Sequence, residues 1–149
     1  MALMAHSSAG WEIRPHSRND RAAIERVFLD CHTELPWRTE PGPDLNTLRY
    51  ALKYSSVLVA HEKEAGVIGF IVFLTERCYV SHLFVDMNWR FCGVARGLLD
   101  VGRTLSSGPL QVDLDTQNTG ALAAYAAMGW TETVSGGPNL GIQWRLTGP

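Results

Sequence analysis

The stretch Arg90-Phe91-Cys92-Gly93-Val94-Ala95 follows an apolar run, Val80 to Val85, and opens into Arg96-Gly97-Leu98-Leu99-Asp100-Val101. A strand that turns through small residues into a helix leaves backbone N–H groups unpaired at the helix N-terminus, aimed where an anion can sit. In outline this is a diphosphate cradle. The lysine of a phosphate-binding P-loop is missing, and so is a Gly-x-Gly-x-x-Gly dinucleotide fingerprint, so neither of those nucleotide readings fits.

Periodicity supplies the elements around that junction. Trp11 to Arg14 alternates as a first strand, Pro15 breaks it, and Ser17 or Asn19 offers a helix cap. Ile24, Val27, Phe28 and Cys31 fall at i, i+3, i+4 and i+7, one apolar face of a helix. Pro36, Pro41 and Pro43 predict a loop, and Leu45 to Tyr54 a shorter helix with Leu48 and Leu52 on one side. Strand-forming runs follow at Ser56 to His61, Gly66 to Leu74 and Cys78 to Val85, with connections short enough for antiparallel hairpins. The helix after Gly93 leads to a strand at Leu110 to Leu114, a crossover expected to be right-handed and parallel. Thr119 to Met128 reads as the last helix. Trp130 to Val134 and Ile142 to Leu146 are expected to close the sheet as a hairpin around Gly136-Gly137-Pro138. Met1 to Gly10 reads as a loose tail outside the fold.

The order Arg-x-x-Gly-x-Ala after a strand resembles the acyl-coenzyme A loop, Arg/Gln-x-x-Gly-x-Gly/Ala, of the GNAT superfamily of N-acetyltransferases. A second block strengthens the likeness: Leu110 to Leu114, then Asn118, Ala121, Tyr125, Gly129 and Trp130, similar to the family's Asn-x-x-Ala-x-x-x-Tyr-x-x-x-Gly-aromatic spacing. The resemblance implies an α+β (mixed α/β) fold over residues 11–149 as one domain. A central, mixed but mostly antiparallel sheet would be flanked by about four helices and splayed between its fourth and fifth strands. It implies acetyl-coenzyme A as co-substrate, held by Phe84, Val85, Arg90, Phe91, Cys92, Gly93, Val94, Ala95, Arg96, Asn118 and Tyr125. No metal is implied, and the five histidines show no ligand spacing.

Acetyl transfer to an amine needs a neutral nitrogen lone pair. A lysine-like amine with pKa ~10.4 is uncharged in about one molecule in two thousand at pH 7, an α-amino group near ~8 in about a tenth. A base therefore helps, as do an N–H donor for the oxyanion and a proton for the departing thiolate. By resemblance the N–H comes from Val85 or its neighbour, Tyr125 protonates or hydrogen-bonds the sulfur, and Asp113 stands where relatives acting on ribosomal-protein alanine carry a glutamate base. Asp113 also reads as a solvated or capping carboxylate, Asn118 as a helix cap, and Tyr125 as core. Tyr79 and Ser81 occupy the alternate positions that face the acceptor in relatives, with Glu34 in the loop beside His32 and Trp37. His82 is the better base, but strand alternation points it to the opposite face unless a bulge resets the register. Phe91 and Cys92 depart from the frequent Arg-Gly-Arg-Gly form of the loop, with Asp86 and Asp100 nearby, so Arg90 and Arg96 carry more of the coenzyme's charge.

Composition enters as exclusion. With 13 Lys plus Arg against 15 Asp plus Glu in 149 residues, the net charge of −2 provides no basic excess for nucleic acid. The longest apolar run, near Val67 to Leu74, falls short of a membrane span. Cys31, Cys78 and Cys92, odd in number and widely spaced, suit a reducing cytoplasm better than disulfides or structural zinc. The expected activity is acetyl transfer from acetyl-coenzyme A directly to a primary amine, a small amine or a peptide α-amino group. Two rivals are a non-catalytic acyl-coenzyme A sensor, and a structural partner whose edge strand, Ile142 to Leu146, pairs two chains as a homodimer.

Overall fold

The computed structural model describes residues 4–6, 10–35, 40–133 and 143–149. The elements are β1 (Met4–His6), β2 (Trp11–Pro15), α1 (Arg21–His32), α2 (Pro41–Tyr54), β3 (Ser56–Glu62), β4 (Gly66–Leu74), β5 (Tyr79–Val85), α3 (Val94–Leu105), β6 (Gln111–Asp115), α4 (Thr119–Ala127), β7 (Thr131–Glu132) and β8 (Gln143–Thr147). Among the described residues these strands form one sheet in the order β1-β2-β3-β4-β5-β6-β8-β7. Every neighbouring pair is antiparallel except β5 and β6, the product of the crossover through α3.

The sheet separates two cores. Ile24, Val27, Phe28 and Cys31 of α1 and Leu48 and Leu52 of α2 pack on Val57, Val59, Val67, Phe70 and Val72. On the other side, Val94, Leu98 and Leu99 of α3 and Tyr125 of α4 pack on Trp11, Ile13, Ile71, Phe73, Val80 and Val112. Strand β4 is covered on both faces, which is why its sequence is continuously apolar rather than alternating. Helix α3 approaches β2 closely at Gly97, where a Cβ would stand 3.0 Å from the Trp11 ring and 3.1 Å from Ile13.

Four details depart from the sequence reading. Helix α2 begins at Pro41 rather than Leu45, because prolines in a first helical turn lack only N–H groups that would have no partner there. Met4–His6, left outside the fold as tail, pairs with β2. The final strand is Gln143–Thr147 and lies between β6 and β7, so it is not a sheet edge: antiparallel pairing with β6 gives its inner side a partner. The expected turn at Gly136-Gly137-Pro138, along with Val134 and Ile142, lies outside the described residues. Finally, the register of β5 is shifted, with consequences for the site.

Candidate active site

Strands β5 and β6, the fourth and fifth of the sequence reading, pair only at Tyr79↔Gln111 and Val80↔Val112 and then diverge, as expected of the splayed pair. A bulge in β5 sits at the fork. Phe73 opposes Val80 while Val72 opposes His82, which leaves Ser81 as the extra residue. A bulge bends and over-twists its strand, and it also reverses the faces beyond it. His82 and Phe84 therefore turn to the α1 side, whereas Leu83 and Val85 join the α3 side. This corrects the alternation that placed His82 away from Tyr79.

The same register assigns the amides. Asp86 N–H donates to Ile68 C=O at 2.8 Å, so alternation turns the amide of Phe84 to β4 and those of Leu83 and Val85 to the cleft. Phe84 contributes a ring instead, packed edge-on against Phe28 with centroids 5.2 Å apart.

At the mouth of the cleft the chain makes a short turn, Met87–Trp89, capped by the Asp86 carboxylate on Asn88 N–H at 2.9 Å. Asp86 also lies 3.7 Å from the Arg26 guanidinium, so much of its charge is answered from α1. The junction into α3 holds two left-handed residues, Phe91 (φ 64°) and Gly93 (φ 84°). Gly93 takes that conformation freely, while Phe91 bears strain of about 1 kcal/mol or more with its ring fully exposed. Gly93 caps α3 without a side chain, and Gly97 N–H closes the first turn on Gly93 C=O. No cap side chain covers the N–H groups of Val94, Ala95 and Arg96, which suits an anion. Cys92 is exposed beside them. Arg96 also borders a cavity of about 220 Å³ with Leu99, Arg103, Met128 and Trp130.

On the α1 face of the fork, Tyr79 and Asp113 meet, and a partner the sequence concealed joins them. Arg145 donates to Asp113 through Nε (2.8 Å) and a terminal nitrogen (2.9 Å), and the Tyr79 hydroxyl adds a bond at 3.1 Å. The Arg145 bonds hold the Asp113 carboxyl below its ordinary pKa. Burial, and then the Asp113 charge, push the Tyr79 hydroxyl up to about 12. At neutral pH Asp113 is ionised with little appetite for a proton, and Tyr79 keeps its own. Only the Asp113↔Arg145 register of β6 and β8 discloses this pairing.

His82 differs. Its Nδ1 lies 2.8 Å from Ser81 Oγ, and Ser81 Oγ in turn donates to Val72 C=O at 3.4 Å. The ring sits among Phe28 (6.3 Å) and Phe84 (6.4 Å). Also from α1, buried His32 bonds Asp44 of α2 at 3.0 Å, clamping the two helices together. Glu34 is paired with Arg90 at 2.7 Å. Trp37 lies outside the described residues.

Of the second block, Asn118 caps α4 by accepting Ala121 N–H at 3.2 Å. Tyr125 is buried, edge-on to Trp130 with centroids 4.9 Å apart. Burial raises its hydroxyl well above the ordinary phenol value, so it stays protonated at neutral pH.

The family profile of the acetyltransferase (GNAT) domain matches residues 44–145. No curated protein matches the chain in sequence. Among solved structures, apo YjaB of Escherichia coli superposes with a TM-score of 0.70 at 22% identity, over 93% of this chain and 99% of that one. A GNAT acetyltransferase of Staphylococcus aureus Mu50 gives 0.71 at 15%, covering 93% and 98%. The yncA protein of Salmonella typhimurium, solved with acetyl-CoA, gives 0.58 at 22%, covering 93% and 91%. These likenesses show a shared fold, and with the family profile spanning most of the sequence, the chain belongs to the GNAT acetyltransferase family.

Proposed function

We propose that this chain transfers an acetyl group from acetyl-coenzyme A directly to a primary amine, a small amine or a peptide α-amino group, within a ternary complex. The observation that carries the reading is the fork of β5 and β6 opening beside the uncapped N-terminus of α3 in a member of the GNAT family. The N–H groups of Val94, Ala95 and Arg96 suit the diphosphate, and the cleft-facing N–H groups of Leu83 and Val85 suit the amide-bearing arm that follows it. Acetyl-CoA in the Salmonella relative supports that choice of donor.

The residues then divide the proton work. The acceptor nitrogen attacks the thioester carbon, and the developing oxyanion takes a cleft-facing N–H of β5. The proton the amine loses passes to the His82 imidazole, which the bulge turns to the α1 side of the fork beside Tyr79. The C–S bond breaks with its electron pair on sulfur, and Tyr125 supplies the thiolate a proton. Asp113 has a supporting part: with Arg145 and Tyr79 it braces the β6 side of the fork. Three unpaired cysteines fit a cytoplasmic location, and among the described residues no helix is long and apolar enough to cross a membrane.

The test is release of free thiol from acetyl-coenzyme A against pools of amines and N-terminal peptides. Turnover that falls about tenfold to a thousandfold in Tyr125→Phe supports the assignment. Coenzyme binding without thiol release from any pool, unchanged in Tyr125→Phe, would instead identify an acyl-coenzyme A sensor.

A further inference from the structure

Arg90 begins the coenzyme turn, yet its guanidinium is committed elsewhere. Nε donates to Val85 C=O at 3.3 Å, one terminal nitrogen donates to Cys31 Sγ at 3.4 Å, and the other pairs with Glu34 at 2.7 Å. The Cys31 thiol donates to the same Val85 carbonyl, also at 3.4 Å. Val85 ends β5 on the edge that faces the cleft, so a continuing ladder with β6 would have satisfied that carbonyl. The two side chains take the place of the missing strand, which matters because an orphaned buried carbonyl is costly.

Glu34 stands two residues beyond α1, on the acceptor side. One cluster thus joins three parts: the end of β5, the turn ahead of α3, and the segment after α1. For Arg90 to reach a diphosphate it would have to leave Glu34 unpaired and remove a donor from Val85. We propose that Arg90 is a positioning residue: it keeps the end of β5 apart from β6 and fastens the coenzyme turn to the acceptor-side segment, and its side chain does not bind the diphosphate. The inference rests on the acetyl-coenzyme A reading above.

The experiment titrates acetyl-coenzyme A calorimetrically into the wild type, Arg90→Ala, Arg90→Gln and Glu34→Gln at low and high salt, with hydrogen exchange followed in each complex. Wild type is expected to bind, to weaken with salt, and to slow exchange at residues 31–35 as well as at the start of α3. The variants are expected to keep affinity within about threefold and the same salt dependence, while protection of residues 31–35 disappears. Arg90→Gln retains a donor for Val85 C=O and serves if Arg90→Ala does not fold. A loss of affinity of about tenfold or more with a flattened salt dependence would make Arg90 a diphosphate ligand and overturn the inference. Undiminished protection of residues 31–35 in the variants would overturn it as well. Absence of heat in the wild type is a different result, since it removes the coenzyme reading itself and the inference with it.

Discussion

Asp20→Asn tests the electrostatics of this fold quantitatively. Asp20 ends a short turn, Arg18–Asp20, ahead of α1 and is only 7% exposed. Its carboxylate accepts two bonds from Arg14 (2.7 and 3.0 Å), one from Ser17 N–H (2.7 Å) and one from the Ser17 hydroxyl (3.3 Å). The Arg14 bonds, the largest cause, lower its pKa from 3.8 to about 2. At about 1.4 kcal/mol per unit, that gap is worth about 2 kcal/mol to the folded state at neutral pH. Asparagine keeps one acceptor but presents an amide N–H₂ to a guanidinium, and Arg14 is exposed enough to recover some water, so the loss stays near that figure rather than rising to that of a fully buried pair.

The expected fall in Tm is about 4 to 8 °C for a chain of this size. Because the folded pKa is the depressed one, the stabilisation is complete above about pH 4 and disappears as pH falls through about 2, with about half of it gone by pH 3. Urea unfolding of the wild type and Asp20→Asn, run side by side from pH 7 to pH 3, measures this directly. A stability difference that stays constant over that range, or one under about 0.5 kcal/mol at pH 7, would refute the reasoning.

Three further outcomes are expected. Asp113→Asn lowers stability by about 1 kcal/mol at most, since Arg145 is substantially exposed, and leaves kcat within about threefold; a loss of a hundredfold would reinstate Asp113 as the base. In His82→Gln, kcat drops about a hundredfold to ten-thousandfold at pH 7 and the acidic limb of the kcat/KM profile vanishes, whereas an unaltered profile would remove His82 from the mechanism. Relief of the left-handed strain in Phe91→Gly raises stability by up to about 1 kcal/mol in a thermal melt, and a lower Tm would show that the exposed ring has a stabilising contact.

Much of the fold is legible along the chain because local periodicity and junction chemistry encode it. The apolar stripe of α1, the continuous run of β4, and the Gly93 entry to α3 each follow from spacing that neighbours in sequence impose on themselves. The two motif blocks likewise carried the family. Where the reading went astray, the cause was non-local or positional. Pro41 and Pro43 predict a loop when treated as breakers, but at the start of a helix they cost nothing. Counting two by two along β5 cannot reveal an extra residue at Ser81, because a bulge is defined by the opposing strand.

By itself, then, the sequence determined the order of elements, the parallel crossover and the uncapped turn for an anion, all of which depend on residues within a few positions of one another. Tertiary structure alone decided which charged groups stay available for chemistry. Asp113 meets Arg145 across 32 positions, Arg90 meets Glu34 across 56, and the bulge opposite Val72 carries His82 onto the α1 face. Protonation and orientation depend on distances between atoms, and those distances exist only once the sheet has chosen its registers.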